Sequence, residues 1–212
     1  LLKKAKNPDD MTASFIISAK NSYLDKTSLN VYKPILKGNE LPYTYNDIYG
    51  KISLNSTNGS KINFFGFNFT DDVMNYKSIS NFGWDSYGGG VNFVVIPGKS
   101  PTMIEGNVAY SDYEARLEEA NNPNRKSSIN GFNAGFAFTY FLGKNTLKYG
   151  IEMLGFKTVF DYFKSNGIHI SQVDNTTELG AYVKYKAQFD KLILEPSFRL
   201  QAYASLSEVS PE

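Results

Sequence analysis

Side chains able to do acid–base or ligand chemistry are few in this sequence and widely scattered. Cysteine is absent and His169 is the only histidine, which excludes thiol catalysis and a disulfide framework. The sequence contains no Gly-x-Ser-x-Gly elbow, no Gly-x-x-x-x-Gly-Lys-Ser/Thr phosphate loop and no clustered metal-ligand spacing. No catalytic residue, metal site or cofactor is therefore assigned. His169, isolated in a polar loop, reads as a solvated histidine more readily than as a ligand to a metal chelate. Gly88-Gly89-Gly90 is followed by no helical pattern that would supply an anion-binding terminus, so close backbone approach or strand curvature explains it better. What remains is binding chemistry. Trp84, Asp85, Tyr113, Asp161 and Tyr162 combine aromatic faces with carboxylates, a mixture suited to sugars or peptide groups.

These residues need a scaffold, and the sequence supplies one with period two. The clearest stretch is a hairpin of two long arms, Asn130 to Leu142 and Thr146 to Tyr162, around Gly143-Lys144-Asn145. Phe132, Ala134, Phe136, Phe138, Tyr140 and Leu142 alternate with Gly131, Asn133, Gly135, Ala137 and Thr139, and successive strand side chains point to opposite sides. Similar alternation marks Ser14 to Leu24, Tyr45 to Asn55, Lys61 to Thr70, Trp84 to Ile96, Thr102 to Arg116, Leu179 to Phe189 and Leu192 to Ser205. In the third of these strands Phe65, Phe67 and Phe69 fall on one side. By the same parity Glu105, Glu152 and Glu195 share a face with Lys51, Lys148, Lys184, Lys186 and Arg199, which reads as a mutually compensated polar wall rather than a catalytic acid pair. Pro196 cannot donate to a ladder and predicts a bulge or an unpaired position. Lys157 falls on the apolar face near a strand end, where a long side chain snorkels. Tyr23, Tyr110, Tyr140 and Tyr149 look like girdle residues.

Nine strands follow; the arms of the clearest hairpin are each over ten residues, against the five or six usual in globular sheets and enough for the 9 to 11 that cross a tilted bilayer path. Short turns near 56–60, 97–101, 143–145 and 190–191 are expected to alternate with long loops near 25–44, 71–80, 117–127 and 163–178, as in outer-membrane barrels. The predicted fold is all-β: an antiparallel up-and-down transmembrane β-barrel segment of about nine strands, from a larger barrel. Residues 1–13 form a lead-in, 14–205 the barrel segment and 206–212 the start of a loop. An odd strand count cannot close a bacterial barrel of the usual kind, so missing strands are expected at both edges. No secretory signal peptide opens the chain, which suits a mature product or an excised piece. With 22 basic and 21 acidic residues, no charge excess points to nucleic acid. The competing readings are a soluble secreted β-sheet module that binds glycans and a barrel of a surface-assembly machine.

Several stretches carry a family resemblance. Ser14-Phe-Ile-Ile-Ser-Ala-Lys-Asn-Ser-Tyr-Leu-Asp25, Leu41-Pro-Tyr-Thr-Tyr-Asn-Asp-Ile-Tyr-Gly-Lys-Ile-Ser53, Tyr110-Ser-Asp-Tyr113, Asn145-Thr-Leu-Lys-Tyr-Gly150 and Leu194-Glu-Pro-Ser-Phe-Arg-Leu-Gln-Ala-Tyr203 resemble early barrel strands of TonB-dependent outer-membrane receptors. The branch they suggest carries a carboxypeptidase-like regulatory domain before the plug. The resemblance implies a barrel of 22 strands, plugged by a separate amino-terminal domain, that imports metal chelates, cobalamin, glycans or peptides. It also implies the partners: outer-membrane lipid, the missing strands and plug, an inner-membrane energy-coupling complex acting through the plug, and a small nutrient ligand. The location it implies is the outer membrane with the long loops extracellular. Neither plug nor energy-coupling box lies in this sequence.

Overall fold

The computed structural model describes residues 11–31, 41–76, 80–98, 100–120, 122–164 and 167–211. Its elements are β1 (Thr12–Asn21), α1 (Leu24–Val31), β2 (Tyr43–Asn55), β3 (Lys61–Tyr76), β4 (Ser80–Val95), β5 (Thr102–Glu119), β6 (Asn122–Leu142), β7 (Asn145–Phe163), β8 (His169–Gln188), β9 (Ile193–Leu194) and β10 (Ser197–Pro211). The strands form one antiparallel sheet in the order β1-β2-β3-β4-β5-β6-β7-β8-β10, with the two-residue β9 also on β8. Each long strand pairs with its sequence neighbour, which is the up-and-down arrangement expected. The sheet is open, with β1 and β10 at its edges.

One end of the sheet carries the tight connections. Gly59 and Gly143 take positive φ there, 88° and 64°, a conformation open to glycine without steric cost. The other end carries α1 and is called the helix end below. Ser28 of α1 is fully buried, and its hydroxyl accepts a hydrogen bond from the Leu41 N–H at 2.9 Å, tying the helix to the approach of β2. At this end three expected loops prove to be mostly strand. β3 and β4 cover most of 71–80, β5 and β6 most of 117–127, and β7 and β8 most of 163–178. Only the β1–β2 connection keeps its expected length. At the close of the sheet, β10 continues past Ser205 to Pro211. Pro196 behaves as its missing donor requires: it falls between β9 and β10, contributing only its carbonyl, which accepts from the Tyr185 N–H at 3.0 Å.

Directly paired residues share a face, so the registers trace whole rows across the sheet. One row reads Phe15, Ile52, Phe64, Val91, Val108, Ala134, Met153, Leu179, Ala202. The neighbouring row, on the opposite face, reads Ser14, Ser53, Asn63, Asn92, Asn107, Gly135, Glu152, Gly180, Gln201. Within it the Ser53 hydroxyl bonds Asn63 and the Asn63 amide bonds Asn92, both at 2.7 Å. One face is thus continuously apolar and the other continuously polar over nine strands. Phe65, Phe67 and Phe69 belong to the polar face, opposite Lys51, Tyr49 and Asp47. There the Phe67 ring lies over Gly88, where a Cβ would meet it at 2.8 Å; the glycine lets an aromatic ring cover the cross-strand backbone.

The apolar rows also reveal the strand tilt. On β1 the outward apolar set is Ala13, Phe15, Ile17 and Ala19, whereas on β8 it is Leu179, Ala181, Val183, Tyr185 and Ala187. Measured against the paired rows, the centre of the band slides toward the tight-turn end by about 0.7 residue per strand between β1 and β8. A slide of about 2.4 Å per strand spacing of about 4.8 Å corresponds to a tilt of about 26°. Along β5 the band runs from Tyr110 to Thr102, about 27 Å of strand and about 24 Å of thickness at that tilt, close to the apolar belt of outer-membrane barrels. No helix among the described residues is long and apolar enough to cross a membrane; a barrel crosses with strands.

Candidate functional site

The functional geometry arises where the strands outrun the apolar band. Toward the helix end the apolar face ends at or a few residues short of the row Asn68, Tyr87, Asp112, Asn130, Lys157, Asn175, which places Lys157 at the expected boundary. Beyond this row the two faces exchange character. The face that was apolar now carries Thr70, Asp72, Asp85, Glu114, Arg116, Lys126 and Asp161. The face that was polar now carries rings: Tyr43 and Tyr45 on β2, Phe69 on β3, Phe82 and Trp84 on β4, Tyr113 on β5 and Phe160 on β7. Strict alternation carries through these positions, because the register holds as far as Val73 on β3 and Leu117 on β5 and shifts only beyond them. Only the assignment of chemistry to faces has reversed.

The ring-bearing wall is built around one carboxylate. Asp71 lies directly opposite Tyr45 on β2 and directly opposite Trp84 on β4, so the three form one cross-strand row. Tyr43 donates its phenolic hydrogen to Asp71 Oδ1 at 2.7 Å. Ring centroids lie 5.9 Å apart for Tyr43 and Tyr45 and 5.2 Å apart for Phe82 and Trp84, within the range of favourable tilted packing. The hydrogen bond to Asp71, with burial and the nearby Asp71 and Asp47 charges, pushes the Tyr43 phenol up to about 12, because ionising it would set a phenolate against carboxylates. One row toward the band, Asp47 lies opposite Phe69. Among the described residues, no ammonium or guanidinium group stands within ion-pair distance of Asp71 or Asp47.

The opposite face at the same height is neutralised. Arg116 contacts Asp85, Glu114 at 3.5 Å and Asp72 at 3.9 Å, and Lys126 reaches Glu114 at 2.7 Å. The Asp85 hydrogen bond holds the Arg116 guanidinium above its ordinary pKa. His169 starts β8 rather than lying in a loop; its ring meets the Asp161 carboxylate and stacks on Phe163 at 4.6 Å.

The five candidate ligand contacts divide accordingly. Trp84, Tyr113 and Tyr162 lie on the ring-bearing face, while Asp85 and Asp161 lie on the opposite one, the first held by Arg116 and the second by His169. Sequence reasoning missed Tyr43, Tyr45, Asp71 and Phe82, because it placed the first in a loop and ended the third strand before Asp71. Counting residues outward from the Asn58-Gly59 turn would have set Tyr45 against Asp71. Nearer the tight-turn end the polar face carries the compensated pairs expected: Lys148 with Glu105 at 2.6 Å, Arg199 with Glu152 at 2.8 Å and Lys184 with Glu195 at 2.5 Å. Among the described residues no group of three or more His, Cys, Asp or Glu side chains is arranged to hold a metal ion.

Neither a protein-family model nor a curated protein sequence matches the chain. Its fold does have counterparts among solved structures. The Serratia marcescens hemophore receptor HasR, solved with its hemophore HasA and heme, superposes with a TM-score of 0.50 at 10% identity, over 96% of this chain and 37% of that one. The Escherichia coli outer membrane transporter YddB gives 0.48 at 8% identity, over 95% and 35%. The Yersinia pestis ferric yersiniabactin uptake receptor FyuA gives 0.40 at 8%, over 95% and 35%. The chain thus spans little more than a third of each of these three proteins. At such identities the likeness speaks for the fold alone: an antiparallel up-and-down sheet like the wall of an outer-membrane barrel, here open at both edges.

Proposed function

We propose that the chain is the early barrel wall of a TonB-dependent outer-membrane receptor, and that the whole protein imports a scarce nutrient (a metal chelate, cobalamin, a glycan or a peptide) by energy-coupled transport. The observation that carries this reading is the exchange of faces at the helix end. A wall apolar outside and polar inside suits a bilayer around a wet interior; a continuation that is charged outside and aromatic inside suits a ligand vestibule standing clear of the bilayer. Lipid then covers the apolar band, further strands pair with β1 and β10, and a plug fills the interior and passes energy from an inner-membrane complex. The helix end faces the exterior. Residues 14–205, with the continuation of β10 to Pro211, are the wall proper, and Trp84, Tyr113 and Tyr162 belong to the vestibule.

Single cysteines test the topology in the full-length protein freed of any other cysteine. Ala120→Cys, at the helix end, is expected to react with a membrane-impermeant maleimide in intact cells. Ser100→Cys, in a tight turn, is expected to react only after the outer membrane is permeabilised. The reverse pattern would invert the orientation, and a soluble product of about the chain's own 23.7 kDa would end the barrel reading. A full-length sequence without a plug would replace import by a surface-assembly role.

A further inference from the structure

We infer that Asp71, set between Tyr45 and Trp84 on the ring-bearing face, is the anchor of a binding site for an organic cation, an ammonium or guanidinium group. The inference rests on the vestibule reading and adds the ligand class to it. Charge complementarity selects the occupant. On the far side of the same strands the carboxylates of Asp72, Asp85 and Glu114 are matched by Arg116 and Lys126, whereas Asp71 receives only the neutral phenol of Tyr43. That hydrogen bond occupies Oδ1 and fixes the carboxylate, while Oδ2 has no hydrogen-bond partner among the described residues. The flanking rings add to the attraction, since an aromatic face is the negative end of a quadrupole and draws cations. Asp47, one row away beside Phe69, is faced by Lys20 across β1, so the uncompensated charge among the rings is that of Asp71. An anionic ligand placed between Tyr45 and Trp84 would meet that carboxylate directly. A neutral sugar would gain stacking but nothing from the charge, so the two ligand classes are separable.

The test uses the full-length protein in detergent micelles, titrated calorimetrically with choline, with Nα-acetyl-arginine amide and with 3,3-dimethylbutan-1-ol, the uncharged analogue of choline. At least one cation is expected to bind about tenfold or more tighter than the alcohol. Asp71→Asn keeps an acceptor for Tyr43 and is expected to abolish that preference, and Trp84→Ala to weaken cation binding several-fold. Asp112→Asn, an equal charge change on the opposite face, should leave the preference intact. Each variant is first checked for outer-membrane assembly and wild-type unfolding. The inference is overturned by equal binding of alcohol and cation, by an unaltered preference in Asp71→Asn, or by no binding of either cation up to about 10 mM. The vestibule reading fails separately: a maleimide pattern that puts the helix end inside would remove it whatever the titrations show.

Discussion

At the height of the vestibule two contacts, one centred on an arginine and one on a tyrosine, have opposite expected behaviour. Arg116 holds three carboxylates, yet its side chain is 39% exposed, so solvent screens each pair to below about 1 kcal/mol. Arg116→Ala is expected to lower unfolding stability by about 1 kcal/mol or less, and by less still at high salt, as read by urea titration in micelles. Tyr43 reports instead on protonation. Its phenol is held up to about 12 against an ordinary 10.0. Below pH 10 folded and unfolded chains both keep the proton, and its contribution to stability is complete. Between pH 10 and about 12 only the unfolded chain ionises, so stability falls with rising pH across that window. Absorbance titration is expected to show one tyrosine ionising near pH 12, and Asp71→Asn to bring it down.

For the strands, face is the decisive variable. Val108 lies on the apolar face and is 54% exposed, which on the proposed barrel sets it against lipid. Val108→Arg is expected to cost about 2–4 kcal/mol, whereas Ser111→Arg, three residues on and facing the interior, should stay within about 0.5 kcal/mol; refolding into vesicles measures both. Gly88→Val would place its Cβ 2.6 Å from the Tyr110 carbonyl oxygen and 2.8 Å from the Phe67 ring, for an expected loss of about 1–3 kcal/mol in the same assay. The faces were legible in the sequence, since Phe132 to Leu142 against Gly131 to Thr139 admits no other division. Strand ends were not. Beyond the band the outward positions become Asp72, Glu114 and Lys126, and a search for apolar residues at alternate positions stops where the apolar set changes sides. α1 gave no signal either: its eight residues are too short a run to establish a helical period, and the buried hydroxyl of Ser28 holds it in place.

For the molecule as a whole, the barrel class was legible because strand length and alternation are both set by the bilayer. The vestibule was legible only in part: Trp84, Tyr113 and Tyr162 carried their own aromatic signal, but Asp71 gains its meaning from Tyr45 and Trp84, which only pairing brings beside it. The registers have one more implication, for how such a wall changes its length. Alternation at period two acts as a reading frame. Adding one residue within β6, between Phe136 and Ala137, while the turn at Gly143 stays anchored, turns Phe132, Ala134 and Phe136 into the wet interior and presents Gly131, Asn133 and Gly135 to lipid. Adding one residue between Pro97 and Ser100 changes nothing but a connection. The first insertion is expected to abolish recovery from the outer membrane and the second to leave it unchanged, so length variation among proteins built on this wall should be confined to its rims.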